Sequence, residues 1–143
     1  MANLAVVTNA SAQSPLDLAF PNIDPGIEPF GSRVLVQIRG AKRMSKGGII
    51  FTADTKDTEK WNTQVGKVIA TGPLAFRNRE TMEPWVEGRW CELGDFVRCG
   101  KHGGDRWEVQ YGDKEETALF VIFNDLDIIG KITGDPLAIK AFV

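Results

Sequence analysis

The chain is poor in the side chains that usually carry out chemistry: its 143 residues include one histidine, two cysteines and one tyrosine. Cys91 and Cys99 are too few for a disulfide framework, and free thiols fit a reducing compartment. No apolar run approaches the length that spans a bilayer, and the N-terminus lacks the basic start and hydrophobic stretch of a signal peptide. A cytoplasmic location is expected. Charge of one sign is lacking too, since 17 basic and 19 acidic residues leave a net charge of -2. A dedicated nucleic-acid binder would carry a basic excess to replace phosphate counterions.

Reaction centres are missing as well. His102 stands in Lys101-His102-Gly103-Gly104 with no serine or cysteine nucleophile arranged near it. Cys91, Cys99 and His102 invite a zinc reading, but neither a Cys-x-x-Cys knuckle nor a fourth ligand accompanies them. There is no phosphate loop of the Walker type and no dinucleotide fingerprint after a strand. The residues predict no catalytic group, no metal site and no cofactor held by this chain.

Nor is there a long amphipathic helix; short strand signals recur instead. Arg33 to Ile38 places Val34, Val36 and Ile38 on one face at period two, and β-branched residues suit a pleated surface. Further strands are expected at Val65 to Ala70, Phe96 to Cys99, Arg106 to Tyr111, Ala118 to Phe123 and Asp127 to Ile132, separated by turn-forming residues. This pattern predicts an all-β fold, a small irregular antiparallel barrel, and the length suits a single core.

Residues 1-28 read as an extended N-terminal arm, because Pro15, Pro21 and Pro25 interrupt helix and sheet alike. Whether the arm is loose or laid along a neighbour is left open. The barrel occupies 29-132, with Leu74 to Trp90 a hairpin or exposed excursion whose aromatics are half buried. Those tryptophans also allow a carbohydrate- or base-stacking surface, although Trp is more often a packing residue. The tail 133-143 is apolar enough to dock somewhere.

The unusual feature is the connector of about 39-64, far longer than the roughly two to five residues of an ordinary hairpin. It is mostly Lys, Arg, Thr, Asp, Glu and Gly, yet in its middle sit three large apolar side chains, Ile49-Ile50-Phe51, after Gly47-Gly48. In one reading Gly47-Gly48 is a tight turn and Ile49 to Thr52 one more strand of the body. In the other, Ile49, Ile50 and Phe51 form a recognition tripeptide on a tether hinged by the glycines, docking into an apolar groove of a partner.

Several segments decide between them by resemblance. Pro29-Phe30-Gly31-Ser32-Arg33-Val34-Leu35-Val36 is similar to the first strand of the small co-chaperonin family, the GroES-type lids of GroEL-type folding chambers. Gly47-Gly48-Ile49-Ile50-Phe51 resembles the Gly-Gly-Ile-Val-Leu core of that family's mobile loop, and Val65 to Gly72 resembles the strand that follows it. Leu93-Gly94-Asp95-Phe96-Val97 matches the family's Val-Gly-Asp-Ile-Val, and Asp127 to Ile132 its closing segment. Phe51 departs from the usual aliphatic residue. The longer Leu74 to Trp90 excursion and the two terminal extensions resemble divergent members that some phages encode.

The resemblance implies a GroES-type barrel that assembles as a homo-heptameric ring, the first strand of each subunit meeting the last strand of its neighbour. Val34, Leu35, Val36, Ile128, Ile129 and Ile132 are the implied interface. Ile49, Ile50 and Phe51 would bind the chaperonin and enclose a client, while ATP is bound by the partner and not by this chain. Two other readings stand beside this one. A phage virion or assembly protein could use the barrel as a structural module. The GroES-like domain of zinc alcohol dehydrogenases would need a Gly-His-Glu motif and a dinucleotide domain, which the residues around His102 and the chain length do not supply.

Overall fold

The computed structural model describes residues 14–40, 63–100, 103–112 and 116–139. Its strands are β1 (Arg33–Ile38), β2 (Val65–Thr71), β3 (Phe96–Cys99), β4 (Asp105–Tyr111), β5 (Glu116–Asn124) and β6 (Ile128–Lys131). They form one antiparallel sheet in the order β4-β5-β1-β2-β3-β6. The predicted strands are all present, with shifts of a few residues at most. The largest adjustment is at β5, which begins two residues earlier than expected, and at the last strand Asp125–Asp127 turns as a 3-10 helix before β6 begins at Ile128.

That short turn forces the sheet to curl. β5 and β6 lie four places apart in the strand order, which is about 19 Å across a flat sheet. The chain from Asn124 to Ile128 spans at most about 14 Å when fully extended. The sheet must therefore bend round on itself, aided by register shifts between Leu35 and Val36 and between Arg98 and Cys99. Such bulges add local twist and curvature.

The curled sheet makes an inside and an outside, and β1 and β5 are apolar on both. Val34, Val36, Ile38, Val68, Val97, Leu119, Val121 and Phe123 pack inside with Phe76, Cys91 and Cys99. Leu35, Ala118 and Phe120 face the other way and form a second cluster with Trp107, Val109, Tyr111 and Ile23. The continuous apolar run of β5 follows from this, since a strand covered on both faces has no reason to alternate.

Ile23 belongs to the N-terminal arm, which covers that outer cluster on its own subunit. Gln37 Nε2 donates to the Pro21 carbonyl at 2.8 Å, and Trp107 Nε1 donates to the Pro25 carbonyl at 2.9 Å. The expectation of a wholly extended arm is corrected at one point. Pro15–Ala19 forms a single helical turn, α1, capped by Ser14, whose hydroxyl accepts from the Asp17 N–H at 3.1 Å. Proline obstructs a helix interior but suits its first turn, where its missing N–H has no partner to lose.

Candidate functional site at the loop root and the β6 edge

β1 and β2 are partners in the sheet, so the long connector leaves and re-enters the barrel at one place. Beyond the end of β1, the Arg39 N–H donates to the Val65 carbonyl at 3.0 Å, joining the outgoing and returning limbs. The returning limb is fixed from the far side by β3: Cys99 N–H donates to the Gln64 carbonyl at 2.8 Å, and Gln64 Nε2 donates to the Cys99 carbonyl at 3.0 Å. Thr63 is buried at this junction. Two limbs tied together and to a third strand give the connector a rigid root.

The residues expected to touch a partner, Ile49, Ile50 and Phe51, and the glycines Gly47 and Gly48, lie outside the described residues, as does His102. Cys91 and Cys99 are buried free thiols of the barrel interior. Burial pushes the Cys91 thiol up to about 11 and the Cys99 thiol up to about 12. Both therefore behave as small apolar residues, since the thiolate is the reactive and metal-binding form.

The implied subunit interface divides. Val34, Leu35 and Val36 are 0% exposed, and β1 is hydrogen-bonded to β2 on one side and β5 on the other. This part of the expectation is corrected: a strand with both edges and both faces taken has nothing to offer a neighbour. Ile128 is also buried in the interior. Ile129 is different, at 66% exposure on β6, which pairs with β3 on one side and has no second partner strand among the described residues.

Beside the open edge of β6 runs a groove of about 610 Å³, lined by Trp90, Leu126, Ile129 and Lys131 among others. Elsewhere on the surface, Ile27 and Phe30 are exposed on the stretch that leads into β1. Among the described residues, the backbone of Ile27 and Glu28 makes no hydrogen bond. The signal of Ile27 and Phe30 in the sequence was an apolar residue between Pro25 and Pro29 and another just after Pro29, which reads equally well as a loop.

The excursion above the barrel is a packed unit. Trp85 and Trp90 stack with centroids 5.9 Å apart and planes 10° from parallel, and Phe76 lies 5.6 Å from Trp90. With both tryptophans packed against the interior cluster, these rings serve packing instead of presenting a free stacking surface.

A family model described as Chaperonin 10 Kd subunit matches residues 26–132. The chain belongs to this family. The co-chaperonin GroES of Methylacidiphilum infernorum (isolate V4) is 34% identical over 112 residues, covering 78% of this chain and 99% of the relative. That of Parageobacillus thermoglucosidasius is 32% identical over 107 residues, covering 74% and 98%. That of Cutibacterium acnes is 32% identical over 106 residues, covering 74% and 94%. Within this co-chaperonin the family match takes in the whole sheet, the connector and the excursion, and leaves α1 and the segment after Ile132 outside it.

Proposed function

We propose that this co-chaperonin caps the folding chamber of a GroEL-type chaperonin, with Ile49, Ile50 and Phe51 entering an apolar groove on the partner. The observation that carries the reading is the rigid root: the apolar tripeptide sits on a tether whose two limbs are joined at Arg39 and Val65. The chain itself hydrolyses nothing; ATP is bound and turned over by the partner, in the cytoplasm where both work. Gly47 and Gly48 hinge the tether.

Two dissimilar patches on one subunit support ring assembly. The stretch with Ile27 and Phe30, whose backbone makes no hydrogen bond at Ile27 and Glu28 among the described residues, is suited to add along the open edge of β6, over Leu126, Ile129 and the adjacent groove. A contact between different patches is head-to-tail, and when its rotation closes it gives a ring. We take that ring to be heptameric. Several tethered loops then raise each other's effective concentration, so avidity supplies what a single loop lacks. Burying three large apolar side chains contributes roughly 1.5 to 3 kcal/mol each, but ordering each loop residue costs about 1 to 2 kcal/mol.

Sedimentation of the purified protein, alone and with a GroEL-type chaperonin plus nucleotide, tests this. A ring that co-sediments with the chaperonin only when nucleotide is present is the expected result. A monomer or dimer that ignores the chaperonin overturns it and favours use of the barrel as a structural module in a larger assembly.

A further inference from the structure

The parts of the chain on either side of the family match meet at one place, the root of the 41–62 segment. Gly40 donates its N–H to the Ala19 carbonyl at 2.8 Å. Ala19 ends α1, and the next residue, Phe20, is buried with its ring 5.1 Å from that of Phe96 on β3. Immediately before Gly40, Arg39 is 4% exposed and donates through Nη1 to the carbonyls of Pro136 and Ile139, each at 2.9 Å. Consecutive residues are thus held from two directions, one by the arm and one by the tail.

Neither contact is needed to close the barrel. The interior cluster contains no residue from before 34 or after 128, and the strands pair without the extensions. Burying an arginine is costly unless its donors are met, and the tail carbonyls meet those of Arg39 Nη1. The planar guanidinium also fixes direction, because its donors lie in one rigid fork. A long tether whose exit direction is set beforehand loses less freedom on docking.

We propose that α1 with Phe20, and the 136–139 segment, form a brace that fixes Arg39 and Gly40 and so the direction in which the chain leaves Gly40. Phe20 and Arg39 are its positioning residues for chaperonin binding. The proposal rests on the lid reading above. A loss of about 1.4-fold per loop compounds over seven loops to about tenfold, so removing either half of the brace should weaken binding about tenfold overall.

The test compares wild type with Arg39→Met, Arg39→Lys and Phe20→Leu, all as full-length rings. Amide exchange at Gly40 is measured on the free proteins, and binding to a GroEL-type chaperonin with nucleotide is measured on the same samples. Faster Gly40 exchange in Phe20→Leu is expected. About tenfold weaker binding in Phe20→Leu and Arg39→Met, at unchanged ring mass, is expected too, with partial recovery in Arg39→Lys, which keeps one set of donors. Wild-type binding by both Phe20→Leu and Arg39→Met overturns the brace and leaves the lid reading intact. A wild-type protein that does not bind the chaperonin removes the lid reading and the brace's role with it.

Discussion

The backbone N–H of Phe76 donates to Oδ2 of Asp125 at 2.7 Å, joining the base of the excursion to the 3-10 corner between β5 and β6. Asp125 is fully buried and also accepts from Arg79, through Nη1 to Oδ2 at 3.2 Å and through Nη2 to Oδ1. Phe76 takes a left-handed backbone conformation with φ 63°, unusual for a side chain of its size. One carboxylate thus holds a strained residue and the corner that curls the barrel.

Asp125→Ala should destabilise the subunit by about 1 to 3 kcal/mol, because it strands the buried Phe76 N–H as well as removing the Arg79 contact. Arg79→Met should cost less, since the Arg79 side chain is 42% exposed and water replaces much of its interaction. Urea unfolding of the two variants checks the order; equal losses would place the stabilisation in the ion pair alone.

Gly72 lies where β2 ends against the turn that precedes β1, and a Cβ there would run into the Gly31 carbonyl. Gly72→Ala must push backbone against backbone, which typically costs about 1 to 3 kcal/mol or more. A thermal midpoint within a degree of wild type would show that this turn yields freely.

Ile129→Asp and Phe30→Asp should each leave the subunit folded, as both side chains are exposed at 66% and 77%, yet disperse the proposed ring. A charge at the centre of an apolar contact costs heavily unless paired. Sedimentation velocity separates the outcomes, and rings that persist in both variants would move the subunit contact elsewhere.

Ile50→Asp should abolish binding to the chaperonin while the ring survives, because it would carry a carboxylate into the apolar groove proposed for the partner. Pull-down with chaperonin and nucleotide, beside a mass measurement of the variant ring, reads both halves. Undiminished binding would remove the tripeptide from the contact.

Alkaline stability follows from the buried thiols. Unfolded, Cys91 and Cys99 ionise near their ordinary value of 9.0; folded, they hold their protons to about 11 and about 12 because burial disfavours the thiolate. The folded state then binds more protons than the unfolded one in that window, so their contribution is full below pH 9 and is lost as pH rises towards 12. Cys91→Ala with Cys99→Ala should flatten the fall in the urea midpoint between about pH 9 and 10.5. A slope equal to that of wild type would assign the loss to other groups.

The strands were legible because a pleated chain announces itself locally. Val34, Val36 and Ile38 alternate at period two and all three enter the interior cluster, and Phe96–Cys99 has the bounds its flanking turns marked. Leu35 misled for a related reason: in β1 the intervening positions are also covered, so burial alone cannot separate a core strand from an interface strand. The arm was harder still. Prolines say that a segment cannot join a ladder, but not which surface it will cover.

By itself the sequence determined the all-β class, the strand positions, the family resemblance and the long connector with its apolar tripeptide, since each depends on residues close together in the chain. Only the tertiary structure decided the sheet order, the curl forced at Asp125–Asp127 and the burial of β1 on both faces. It alone brought Ala19 and Pro136 to Arg39 and Gly40. Those contacts join residues up to about a hundred positions apart, and the pairing of such distant groups is settled by packing, to which local spacing gives no clue.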